Sequence, residues 1–150
     1  MTSKLDTAQT YIDLISVGGD LEKAITDYMS DDFENLDEDG NVALTKDQLL
    51  GMTRMMGQSF TGYGWVSADL RAEDDYVIMT GHFEGTHIGD LDLSAMGLGV
   101  IPASGKKIVW PEASAKLTIE GGRIVRMQPY AGAAGLKAWL AALGIETPSA

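Results

Sequence analysis

Both histidines of the chain, His82 and His87, stand five residues apart in Gly81-His82-Phe83-Glu84-Gly85-Thr86-His87-Ile88-Gly89, with Glu84 between them. Histidine is the side chain most readily poised for proton transfer near neutral pH, so chemistry is sought here first. The segment has the pattern of a strand, which sets His82 and Glu84 on one face and His87 on the other with Phe83 and Met79. One histidine then faces an interior, and the other faces solvent or a partner subunit. His87 turned inward could act as acid or base or hydrogen-bond a substrate carbonyl; equally, it could end the strand by bonding a loop carbonyl. Opposite faces keep the two from ligating one metal ion, so no metal site is expected.

Glu112, in Val109-Trp110-Pro111-Glu112, is the other candidate acid or base. Proline cannot donate to a ladder, so a bulge after Pro111 would turn Glu112 inward beside Trp110, a setting suited to a general base. Without the bulge it is a solvated glutamate on an edge strand. Tyr28, Tyr63, Trp65, Trp110 and Tyr130 are flat side chains able to line a pocket for a polycyclic ligand. Met52, Met55 and Met56 would give it an adaptable wall, with Met79 and Phe83 opposite. The same residue types are also ordinary core material.

Composition narrows the field. A chain of 150 residues fits one domain, 1–150, with a core of its own. A formal net charge of -11 argues against nucleic acid, whose phosphates reward clustered Lys and Arg, and disfavours an anionic substrate. The absence of cysteine excludes disulfide, zinc-thiolate and cysteine-nucleophile schemes. No apolar run reaches membrane-spanning length and the first residues lack a signal-like core, so no membrane partner and a cytoplasmic setting are expected. No nucleophile elbow, phosphate loop or dinucleotide fingerprint is present, and no cofactor is expected.

The elements that must position these residues follow from periodicity. Leu5, Ala8, Ile12 and Ile15 mark a helix stopped by Gly18-Gly19; Asp20 caps a second one carrying Leu21, Ala24, Ile25 and Tyr28. Thr45-Lys46-Asp47-Gln48 reads as a capping box opening a third, so the first sixty residues look mostly helical. Asn35 to Val42 imitates a calcium loop between helices, but Lys46 stands where the closing glutamate belongs, which makes it an acidic connection. From Tyr63 the period becomes two: strands over 65–72, 76–87, 107–119 and 123–130, the last two joined by the hairpin Glu120-Gly121-Gly122. Residues 94–100 are apolar yet glycine-rich and suit a lid or a dimer contact. A closing helix starts near Gly135 and carries Leu136, Trp139, Leu140 and Leu143. The sum is an α+β fold, a curved antiparallel sheet with helices on one face.

Gly19-Asp20-Leu21-Glu22, Asp31-Asp32-Phe33, Asp74-Asp75-Tyr76-Val77, Gly85-Thr86-His87-Ile88-Gly89, Pro102-Ala103-Ser104-Gly105-Lys106 and Ile119-Glu120-Gly121-Gly122-Arg123-Ile124-Val125 occur in that order. In this the chain resembles the SnoaL-like polyketide cyclases of the nuclear-transport-factor-two-like superfamily, over roughly residues 6 to 143. The resemblance implies a cone-shaped sheet with helices on its concave face and a deep apolar pocket for a small carbonyl or polycyclic compound. It further implies a homodimer formed through the sheet and cofactor-free acid–base chemistry of cyclase, isomerase or dehydratase type. The family's acid/base aspartate stands seven residues ahead of the hairpin glycine, a position held here by Ala115. Two readings follow: an enzyme using Glu112, His87 or His82 instead, or a binding protein that kept the chamber and lost the chemistry.

Overall fold

The computed structural model describes residues 3–94, 97–132 and 136–143. Ser3 caps α1 (Lys4–Ile15) by accepting from the Asp6 N–H at 3.1 Å, and Asp20 caps α2 (Leu21–Tyr28) through the Lys23 N–H. Each cap satisfies a donor that the first helical turn leaves unpaired. Ala8, Tyr11, Ile12 and Ile15 form the buried stripe of α1.

The chain continues as β1 (Met29–Leu36) and β2 (Val42–Thr45), both placed in a region whose sequence reads as helical. Met29, Phe33 and Leu36 are buried at intervals of four and three, the spacing of a helix stripe. Here that spacing arises from an interrupted strand, whose register shifts between Met29 and Glu34. The acidic segment between β1 and β2 is a tight turn, with Asp37 Oδ1 accepting from the N–H groups of Asp39 and Asn41 at 2.9 Å. It joins two strands, so the resemblance to a calcium loop between helices does not survive.

Thr45 and Gln48 close a reciprocal capping box on α3 (Lys46–Ser59). Then come β3 (Phe60–Ala72), β4 (Tyr76–His87), the short pair β5 (Leu91–Asp92) and β6 (Val100–Ile101), β7 (Lys107–Val109), β8 (Ala113–Glu120), β9 (Arg123–Gly132) and α4 (Leu136–Ala142). The main sheet runs β2-β1-β9-β8-β4-β3, with β7 pairing the far end of β4. All pairs are antiparallel except β1 with β9, which makes the sheet mixed. Register shifts in β3–β4 and β8–β9 mark bulges, which bend strands and sharpen their twist.

The expected strand over 107–119 is broken at Trp110–Glu112. Ala113 is the first β8 residue paired to β4, opposite Gly81, and β7 pairs β4 only from Val109 opposite Glu84. Leu91 and Leu93 at the β5–β6 pair are buried; Ala95 and Met96 of the expected lid over 94–100, and the expected start of the last helix at Gly135, lie outside the described residues.

The interior has two cores. The first, mostly aliphatic, lies between α1, α2 and the sheet and includes Ile12, Ile25, Leu117, Ile119 and Ile124. The second groups Met56, Phe60, Trp110, Trp139 and Leu140, and Phe83 packs against both. No helix among the described residues is long and apolar enough to cross a membrane.

Candidate functional site

Where the two cores meet, a cavity of about 180 Å³ remains. Its aromatic wall begins with Trp65 of β3. A Cβ at Gly81 would lie 2.8 Å from the Trp65 ring and 2.2 Å from the Val66 carbonyl oxygen, so a residue without a side chain is required beneath the indole. Phe83 meets Trp65 edge-on at 5.0 Å and stacks on Tyr63 at 5.3 Å. Tyr63 in turn meets the edge of Trp110 at 5.8 Å. Trp110 occupies the break between β7 and β8, where its backbone N–H donates to the Phe83 carbonyl at 2.9 Å. Its indole stacks on Trp139 at 5.4 Å and donates to the Trp139 carbonyl at 3.0 Å, which ties α4 to the sheet.

Tyr63 owes its position to a bulge. Register shifts between Thr61 and Gly64, and Gly62 takes a φ of 64°, a left-handed conformation that favours glycine. The facing wall comes from Tyr11 and Ile15 of α1, Leu21 and Ile25 of α2, and Leu49, Met52, Thr53 and Met56 of α3. Met79, Ala115 and Met127 supply its sheet-borne lining. Burial pushes both the Tyr11 and the Tyr63 phenol above the ordinary tyrosine range; for Tyr63 a hydrogen bond from the Trp139 side chain partly offsets this, and neighbouring Tyr11 adds to it. Both therefore remain neutral hydroxyls, able to donate to a ligand oxygen.

The candidates from sequence separate cleanly. His82 lines the cavity at the break in the sheet, half-buried and opposite the Trp110–Glu112 segment that leaves the ladder. His87 does not line it: the ring is 2% exposed, stacks on Phe60 at 4.7 Å, and leaves Nε2 without a hydrogen-bond partner. Glu112 is exposed and outside the lining. The chain leaves the ladder after Val109, Trp110 takes the interior place, and the carboxylate keeps the hydration that burial would strip from it. Glu84 is committed elsewhere. The Lys107 ammonium 2.9 Å away holds its carboxyl below the usual range, partial desolvation opposes this, and His82 adds a smaller push in the same direction as Lys107.

Among the aromatic and methionine candidates, Met52, Met56, Tyr63, Trp65, Met79, Phe83 and Trp110 line the cavity. Tyr28 ends α2 outside it. Tyr130 stands half exposed at a bulge in β9, with the Arg71 guanidinium 5.9 Å from its ring centre. Tyr11, Thr53 and Trp139 were not among the sequence candidates; Tyr11 lies within the same α1 stripe as Ala8, Ile12 and Ile15, which was the available signal. Ala115 pairs with Met79 and lines the cavity, so a methyl group occupies the position at which the resemblance implies a carboxylate. No aspartate or glutamate appears in the lining among the described residues, nor any cluster of three or more potential metal ligands.

Residues 8–127 match the SnoaL-like domain. The chain belongs to the SnoaL-like family. No curated protein sequence matches it. Among solved structures, it is similar to AclR from Streptomyces galilaeus, with a TM-score of 0.69 and 18% identity over 95% of this chain and 98% of that one. A SnoaL-like protein of the polyketide cyclase type from Jannaschia sp. CCS1 gives 0.64 and 16% over 85% and 83%. A protein of ketosteroid isomerase-like fold from Catenulispora acidiphila, solved with trimethylamine, gives 0.63 and 15% over 97% and 100%. At these identities the likeness establishes the fold: a curled mixed sheet with helices, the α+β architecture expected of a SnoaL-like domain.

Proposed function

We propose that this SnoaL-like domain binds a small, uncharged, single-ring carbonyl compound in the cavity between its two cores. The observation that carries this reading is the lining itself: Trp65, Trp110, Trp139 and Phe83 with four methionines, two neutral phenols and no carboxylate among the described residues. An engineered cavity of about 150 Å³ takes one benzene ring, so about 180 Å³ suits a ring with a short substituent. A four-ring polyketide exceeds it. A ligand carbonyl accepting from Tyr11 or Tyr63 would fix the orientation inside an otherwise apolar chamber.

Acetophenone is a suitable probe. All three tryptophans of the chain wall the cavity, so proton–nitrogen correlation spectra should show their indole signals shifting saturably as acetophenone is added. Ala115→Leu, which fills the chamber, should abolish the shifts while leaving the protein folded. Unshifted indoles in the parent protein at saturating probe would overturn the reading.

A second reading, acid–base catalysis, rests on His82 at the wall. It requires solvent deuterium to enter the acetophenone methyl group, and to stop entering in His82→Gln; Glu112→Gln should change neither exchange nor binding. Pairing of two chains through the outer sheet face is a further part of the proposal, supported by exposed Val66, Val109 and Tyr130 on strands of the sheet. Sedimentation at twice the 16.0 kDa chain mass would support it, and a single-chain mass would sink it.

A further inference from the structure

A second concavity, a groove of about 610 Å³, lies outside the cavity between the start of α2, the second half of α3 and the start of β3. Leu21, Thr53 and Tyr63 line both spaces. They form the partition between groove and chamber, and the bulge at Gly62 places Tyr63 in that partition. The groove differs from the chamber in chemistry. Its wall carries Asp20, Glu22, Arg54 and Gln58 beside the Thr53 hydroxyl. Arg54 and Glu22 face each other as an ion pair, each about half exposed, so both retain unsaturated hydrogen-bonding capacity.

We infer that chamber and groove are one bipartite site for a ligand with an apolar ring at one end and an uncharged, hydroxyl-rich group at the other. The inference rests on the single-ring reading of the chamber and adds the second half of the ligand. The ring passes the Leu21–Thr53–Tyr63 partition, and the polar group remains in the groove. Hydroxyls both donate and accept, which matches a wall offering a guanidinium and an amide as donors beside carboxylates as acceptors. A charged tail fits less well. An anion meets Asp20 and Glu22, a cation meets Arg54, and either must break the Arg54–Glu22 pair without replacing both partners.

The test compares 4-methoxyacetophenone with the 4-O-glucoside of 4-hydroxyacetophenone, using the tryptophan indole signals as the readout of chamber occupancy. The glucoside is expected to bind at least tenfold more tightly. Arg54→Ala with Gln58→Ala should remove that gain and leave the methoxy compound's affinity unchanged. Glu22→Gln, which keeps the side chain's size but removes its charge and replaces one acceptor oxygen with a donor amide, should reduce the gain partially and serves if the double variant fails to fold. A glucoside that binds no more tightly than the methoxy compound, or whose advantage survives these substitutions, overturns the bipartite site while leaving the chamber reading intact. Failure of both probes to move the indoles overturns the chamber reading itself.

Discussion

The first core sets Ile12, Ile25, Leu117, Ile119 and Ile124 under α1 and α2, none more than 3% exposed; the second sets Met56, Phe60, Trp110 and Trp139 under α3 and α4, and the cavity remains where the two meet. One sheet serves both halves. Branched aliphatic side chains have few rotamers and interlock to near-crystalline density. Flat rings and unbranched thioethers meet at edges and faces and leave gaps between them. The helices follow the same division. The interior of α1 carries no glycine, whereas α3 carries Gly51 and Gly57, both on open surface where an added Cβ would touch nothing. Packing therefore does not demand glycine at either place. The interlocked aliphatic side chains secure the fold, and the rings and thioethers along the seam between the cores keep room for something else.

The largest test of this contrast is a pair of truncations. Leu117→Ala should destabilise the protein by about 3 kcal/mol, because it opens a void in close-packed surroundings. Met52→Ala, at a wall that already borders empty space, should cost about 1 kcal/mol or less. Urea unfolding of both variants decides it, and equal losses would erase the distinction between the halves. Next in size, Gly51→Ala and Gly57→Ala should each stabilise α3 by about 1 kcal/mol, read as a rise in the thermal midpoint. A loss of stability would mean that α3 needs those glycines in a way its surroundings do not reveal.

The smallest effect concerns the Glu84–Lys107 pair at the rim of the aromatic half. Glu84 has a lowered folded value, so the pairing stabilises above the unfolded carboxylate pKa and is lost as the pH falls through the folded one. Lys107→Met should therefore differ from the parent near neutral pH and converge with it in acid. Denaturant midpoints measured across that range check the convergence, and a constant offset would exclude the pair as its source.

How much of this could be read beforehand depended on which signal dominated locally. The strand over 76–87 was legible to its ends, because alternation is bounded by the turn Glu73-Asp74-Asp75. The capping box was legible because it is a local, reciprocal pair of hydrogen bonds. By contrast, β1 was hidden: Met29, Phe33 and Leu36 recur as they would on a helix, and pairing with β2 and the distant β9 makes them a strand. At the site, Tyr63, Trp65, Phe83 and Trp110 were identifiable as flat side chains near the change of period. The placement of Glu112 was not, since it depends on where the ladder breaks, and neither was the choice between His82 and His87. Alternation set the two histidines on opposite faces without saying which meets the chamber; His82 lines it, and His87 is buried against Phe60 outside it.

The pairing of β1 with β9 has a consequence for how the protein is made. Glu34 lies beside Arg126 and Asn35 beside Met127, so the N-terminal strand has no neighbour on that side until nearly the whole chain has left the ribosome. Contacts of such long sequence separation form late and slowly. Until then α1 and α2 lack the β8 and β9 side chains Leu117 and Ile124 that complete their core, and a nascent chain arrested before residue 123 would carry an open strand edge exposed to other chains.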